Sequence, residues 1–188
     1  MMKKIVSLLL LAALAVTLFG CSEMMTSAEN FLIAVKKMDF EAMKKELYPD
    51  DRAGSLHLQL DNYADSLTSE DMETLKALYS LTQYTMGEES AAEKGVKTVS
   101  VTLKYPDVAR IKSLADTKIM VSAESASKTV SDMIADGSIA KSYMTEKTIS
   151  VKMVEKDGVW LLPYTESDNA ALVSALLLSE MLRFFALN

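Results

Sequence analysis

Few side chains in this sequence are equipped for chemistry, and their spacing narrows what they can do. Of 188 residues, one is cysteine (Cys21) and one is histidine (His57). A lone histidine cannot build a histidine-based metal cluster, and a lone cysteine cannot close an internal disulfide. That leaves carboxylates and phenols. Short acid pairs occur at Asp50-Asp51, Asp61/Asp65 and Glu88-Glu89. None has the alternating D-x-[DN]-x-[DN]-G layout that wraps calcium, and their surroundings read as solvated turns and caps. No P-loop, GxGxxG or GxSxG run occurs. The thirteen methionines include Met43, Met72, Met133 and Met153 at core-like positions, with no M-x-x-M cluster. They read as core filler rather than copper ligands. The residues therefore assign no catalytic, metal or cofactor site.

Cys21 acquires a role from what precedes it. After Met1-Met2-Lys3-Lys4, the fifteen residues "IVSLLLLAALAVTLF" carry no charge. This basic start and short apolar run form a secretory signal, too short for the roughly 20 residues that span a bilayer. The run stops at Leu18-Phe19-Gly20-Cys21, which resembles the bacterial lipobox, with Phe19 where a small residue is usual. The resemblance implies cleavage after residue 20 and a diacylglyceryl thioether on Cys21, which also removes any His/Cys catalytic pair. Several acyl chains at about 0.8 kcal/mol per buried CH₂ hold a protein stably on a membrane. The expected location is the extracytoplasmic face of a cell membrane.

Residues 1–20 contain Lys3 and Lys4 and no acid, so the remaining chain has 18 basic against 26 acidic residues, a net charge of −8. An acidic head with no basic patch argues against nucleic-acid binding and against peripheral adhesion to anionic lipid. The sequence divides into a signal (1–20), a lipidated start and short tether (21–27) and one domain (28–188).

Helical spacing follows Thr26-Ser27-Ala28-Glu29, a capping-box pattern, through Phe31, Ala34, Val35 and Met38. A second short helix is expected after a break near Asp39, ending before Pro49, and a third after Thr68-Ser69-Glu70-Asp71. The stretch "DDRAGSLHLQLDNYADSL" carries no clear period. Val99, Val101, Leu103 and Tyr105 alternate with polar residues, predicting a strand stopped by Pro106, with a weaker strand over 80–90 returning through "AAEKG". Asp157-Gly158 predicts a two-residue hairpin pairing Glu155 with Trp160, Met153 with Leu162 and Val151 with Tyr164. Its apolar face carries Ile149, Val151, Met153, Trp160, Leu162 and Tyr164. Asp107 opens a long helical stretch ending near Asp136-Gly137, and 168–187 form an apolar C-terminal helix behind Ser167/Asp168 caps. An antiparallel sheet covered on one face by helices, an α+β domain, is the expected class.

The order of short helices ending in "KKMDFEAMKKEL", a "VSVTLKYPD" strand and a closing "ISVKMVEKDGVWLL" hairpin resembles the nuclear transport factor 2-like, or cystatin-like, domains of many Gram-positive lipoproteins. The likeness covers about residues 26–165 and implies a curved sheet wrapped on helices around a conical pocket. Tyr84, Leu103, Met153 and Trp160 are the candidate pocket lining. Some enzymes of that fold pair a pocket Asp with a Tyr donor, for which Tyr63, Tyr79, Tyr84 and Tyr105 are present here. The insert at about 107–140 and the helix after 168 can each plug such a pocket. The C-terminal helix packs on its own domain or another subunit, or dips into the membrane. The leading expectation is a lipid-anchored, non-catalytic binding or protein-interaction module, its partners the membrane through the lipid and a second copy or another protein through the C-terminal helix. The alternative is a small apolar ligand carrier or isomerase-like enzyme using the concave sheet.

Overall fold

The computed structural model describes residues 22–49, 55–122 and 124–187; the signal, Cys21 and Asp50-Asp51 lie outside them. The chain runs α1 (Glu23–Lys37), α2 (Phe40–Glu46), α3 (Leu56–Ala64), α4 (Ser69–Ser80), β1 (Gln83–Glu89) and β2 (Val96–Pro106). It continues through α5 (Val108–Ser122), α6 (Ala126–Ala135), α7 (Ser138–Ser142), β3 (Met144–Lys156), β4 (Val159–Leu161), α8 (Glu166–Leu176) and α9 (Leu178–Leu187). The four strands form one antiparallel sheet in chain order, with α5, α6 and α7 between its two hairpins. The α+β class is as expected.

Both hairpins turn on two residues of positive φ. Lys94 (51°) and Gly95 (74°) join β1 to β2, and Asp157 (53°) and Gly158 (82°) join β3 to β4. This backbone suits the right-handed twist of the flanking strands. Register then puts Val99, Val101 and Leu103 beside Val151, Ile149 and Lys147. Val99, Val101, Leu103, Ile149, Val151 and Met153 are buried, while Thr85, Thr148 and Ser150 on the opposite face are exposed. Helix α1 covers the apolar face: Phe31 and Leu32 meet Val101 and Val151, leaving between them a void too small for a water molecule. Burying a side chain such as Phe31 contributes about 1.5–3 kcal/mol.

The expected start of the first helix is corrected. Ser22, not Thr26, caps α1, its Oγ accepting from the Met25 N–H at 3.2 Å, and Met24 is fully buried. Residues 23–27 belong to α1, with Met24 in the core. The same cap pattern works at Thr68, where Thr68 and Asp71 close a reciprocal box. The stretch without a clear period contains α3, capped by Ser55, with Leu56 and Leu60 buried one turn apart. The helical stretch from Asp107 to Gly137 holds two helices, α5 and α6, and the short α7 follows it.

The second hairpin keeps the expected Glu155–Trp160 pair but not the two beyond it. Alternation of the ladder would place Lys152 opposite Pro163, which has no N–H to give. The chain therefore leaves β3 after Leu161, and Leu162 bonds sideways to the end of α2, donating to the Glu46 carbonyl at 2.8 Å and accepting from Tyr48 N–H at 2.8 Å. The side chain of Asn169 replaces the missing strand. Its Oδ1 accepts from Lys152 N–H at 2.7 Å, and its Nδ2 donates to the carbonyls of Lys152 (3.0 Å) and Pro163 (2.8 Å). Asn169 leaves the helical conformation to do so (φ −134°, ψ 45°).

The expected single C-terminal helix is two, bent by 50° across Leu177, whose φ is positive (44°). Thr165, not Ser167 or Asp168, is the N-cap of the first. Among the described residues no single helix is long and apolar enough to cross a membrane. Leu172, Leu176, Met181, Leu182, Phe184 and Phe185 are buried within the domain, and the Tyr79 hydroxyl donates to the Leu176 carbonyl freed at the bend, at 2.7 Å. Asn169→Ala should lower stability by roughly 2–4 kcal/mol, because it strands the buried carbonyl of Pro163 and the part-buried N–H and carbonyl of Lys152. Urea denaturation checks this, and a loss under 1 kcal/mol would contradict the strand-replacement role.

Candidate functional site

The four residues expected to line a pocket are not brought together. Leu103 and Met153 are fully buried in the core. Tyr84 stands level with Leu103 and Lys147, whereas Trp160 stands level with Glu155. Eight residues of β3 separate those levels, about 26 Å at 3.3 Å per residue. Among the described residues, Phe31, Leu32 and Leu172 cover the sheet at Val101 and Val151 and leave no room there for a water molecule.

A cleft of about 370 Å³ lies instead where the second hairpin leaves the sheet. One wall is the exit of α2 (Leu47, Tyr48, Pro49), a second is the start of α3 (Ser55, Leu56, His57), and a third is the entry to α8 (Pro163, Tyr164, Thr165, Asp168), with Val154 of β3 between them. Residues 50–54, which join the first two walls, lie outside the described residues. Proline makes this site by default. Pro49 follows the segment bonded to Leu162, and Pro163 prevents β4 from continuing, so neither strand closes over the gap.

The walls are largely apolar and aromatic, with polar groups at fixed points. Tyr164 packs against Phe31 with ring centroids 5.9 Å apart, and the Lys156 ammonium lies 5.3 Å from the Tyr48 ring centroid. Ser55 Oγ accepts from the Leu58 N–H at 3.4 Å. His57 Nδ1 is buried and has no hydrogen-bond partner among the described residues. Asp168 accepts from the Lys152 ammonium at 2.7 Å, from Thr165 Oγ at 2.7 Å and from Ser167 Oγ at 3.2 Å. The Lys152 contact first, and then the Thr165 hydroxyl, hold its carboxyl below the ordinary carboxylate range. Asp168 thus contributes a negative charge to the cleft lining. The size and mixed lining suit a small ligand or a short side-chain cluster.

Of the phenols and acids singled out in the sequence, the described Tyr63, Tyr79, Tyr84, Tyr105, Asp61 and Glu89 are not among the cleft residues. Burial and then Glu29, to which its hydroxyl donates at 3.2 Å, raise the Tyr84 phenol. Burial and then Asp107 raise Tyr105, and burial raises Tyr79 strongly. Tyr63 is half-buried against the core. Asp61 pairs with Lys44 at 2.6 Å and Glu89 with Lys97 at 3.3 Å. No group of three or more His, Cys, Asp or Glu side chains gathers to hold a metal among the described residues. The cleft residues other than His57 had no signal as a set, because they come from three segments more than a hundred positions apart at the extremes.

No protein-family model matches the chain, and no curated protein matches it. Its structure is similar to the crystal structure of a "putative lipoprotein (ycdA)" from Bacillus subtilis, with 18% sequence identity and a TM-score of 0.36. The match covers 79% of this chain and 57% of that one, so the present chain spans a little over half the length of this neighbour.

Because the pair lowers the folded-state pKa of Asp168, its stabilisation is complete above the unfolded carboxylate value of about 4 and is lost as pH falls through the lower folded value. Asp168→Asn should therefore flatten the acid limb of the stability curve below about pH 4, where the native protein loses this contribution. Urea titrations at stepped pH read the difference, and parallel curves for the two proteins would show the pair to be inert.

Proposed function

We propose that this chain is a lipid-anchored extracytoplasmic protein whose α+β head is a binding module rather than a catalyst. The observation that carries the reading is the junction of sequence and fold: the signal pattern ends at Cys21, and the next residue, Ser22, is the cap of α1. A signal cleaved before Cys21 removes the apolar run and leaves α1 whole. The head is read as a variant of the nuclear transport factor 2-like roll. Support comes from its long central strands, β2 of eleven and β3 of thirteen residues, wrapped on one face by helices. It departs from the simple roll in the three helices between the hairpins and in a filled centre.

Binding is assigned to the cleft at the second hairpin, where the runner-up reading, a carrier of a small apolar ligand, also finds its support in volume and lining. Catalysis is not assigned, because the cleft carboxylate Asp168 is held ionised by Lys152 and the raised phenols lie in the core or against α1. The faces of α8 and α9 that are buried pack into the core, and α8 contributes Asp168 to the cleft.

Cys21→Ser should abolish incorporation of a labelled fatty acid and move the protein from the membrane to the soluble fraction, with the fold unchanged. A Cys21→Ser protein that still sediments with membranes overturns the anchor. Native mass spectrometry of the soluble head, compared with Val154→Trp to crowd the cleft, should show a co-purified adduct that the variant loses.

A further inference from the structure

The head has no linker with which to stand off the membrane, and this selects one end of it as a lipid-facing surface. Resting on the lipid-anchor reading above, we propose that the end of the sheet bearing both hairpin turns lies against the bilayer that holds the anchor, with Trp160 and Val159 at the interface. Cys21 is joined directly to Ser22, so its Cα lies about 3.8 Å from that of the helix cap. Ser22 is itself pinned to the sheet. Its Oγ donates to Glu89 Oε2 at the last residue of β1, Glu89 Oε1 accepts from the Lys97 ammonium at 3.3 Å, and that ammonium lies 5.4 Å from the Trp160 ring centroid. A continuous chain of contacts therefore runs from the neighbour of the anchored residue to the single tryptophan.

The register places the turns at the same end. Val96, the first residue of β2, pairs with Val154, two residues before the end of β3, so turns 94–95 and 157–158 project together. Val159, at the second turn, is 53% exposed, one of the few large apolar side chains so exposed. Trp160 is half-buried, its ring under a lysine, a combination of aromatic body and cationic cover that suits a headgroup region. At the attachment point Glu89 is already paired with Lys97, and the exposed acids of the two turns, Glu93, Glu155 and Asp157, alternate in sequence with Lys94 and Lys156, so the contact is with zwitterionic rather than anionic headgroups. With several acyl chains holding residue 21 in the leaflet and no flexible residues after it, the head cannot rotate this end away without breaking the Ser22–Glu89 contact or fraying α1, which Met24 opposes by full burial. The bilayer is the occupant that the length of chain allows.

The lone tryptophan makes the surface measurable. The acylated full-length mature protein is reconstituted into phosphatidylcholine vesicles containing a headgroup spin-labelled lipid. Trp160 emission should be lost relative to vesicles without the label. Lys147 is exposed about 26 Å along β3 from the Trp160 level, so the acylated double variant Trp160→Phe/Lys147→Trp should keep its emission. Unacylated Cys21→Ser protein mixed with the same vesicles should also keep it. Equal quenching at both tryptophan positions, or an acylated, vesicle-bound protein with unquenched Trp160, overturns the orientation while leaving the anchor intact. Quenching of the Cys21→Ser protein as strong as that of the acylated one shows that the anchor does not set the surface, and also overturns it. Absence of acylation in the cell overturns the anchor reading itself and this surface with it.

Discussion

The apolar face of the sheet is the constraint from which the rest of the molecule follows. Val99, Val101, Leu103, Ile149, Val151 and Met153 present a continuous surface that water cannot be allowed to reach, and a four-stranded sheet cannot cover it alone. Helix α1 meets the demand by laying Phe31, Leu32 and Val35 along the strands. A helix committed over fifteen residues to one sheet face has both ends fixed by it. Its first turn is brought to the end of β1, where Ser22 meets Glu89, and its last turn to the far end of the same strand, where Lys36 lies 5.8 Å from the Tyr84 ring centroid. The place where any N-terminal anchor leaves the head is thus a consequence of desolvating the core, not of a separate docking contact.

The second consequence is at the opposite edge. A short β4 cannot run on past Leu161 because Pro163 has no donor for the ladder, and the burial of Lys152's backbone would be costly if nothing replaced that donor. Asn169 restores the hydrogen bonds with a side chain, which frees the main chain of 162–165 to turn away and join α2. The cleft is the gap this detour leaves. Its polar residues are tied to the same solution: Asp168 lies beside Asn169, and its ion pair with Lys152 locks the start of α8 onto the strand that Asn169 caps.

Local rules were legible wherever one segment supplied its own evidence. The Asp157-Gly158 turn, the alternation of β2, the Thr68 capping box and the break at Asp39 depend on neighbours within a few residues, and each is where its residues place it. The same capping pattern at Thr26 misled, since four residues earlier Ser22 also offers a hydroxyl, and burying Met24 favours the longer helix. Leu56, Leu58 and Leu60 alternate as a strand would, yet form α3, because Leu56 and Leu60 one turn apart reach the core together. The pocket lining was illegible for a different reason. Tyr84, Leu103, Met153 and Trp160 share a face of the sheet, but a shared face does not reveal which parts of it a helix will fill.

What the sequence determined by itself is what short-range chemistry controls: the helix or strand class of most long elements, the Asp157-Gly158 turn, and the sidedness of the sheet. Period and turn geometry need no distant partner. The tertiary structure alone decided the start of α1 at Ser22, the bend at Leu177, the cover of Phe31 and Leu32 over the sheet and the cleft between residues 47 and 168. Each depends on which surfaces meet, since apolar burial is non-directional and accepts any cover that excludes water, whereas a missing donor opposite Lys152 becomes visible only once the strands are paired.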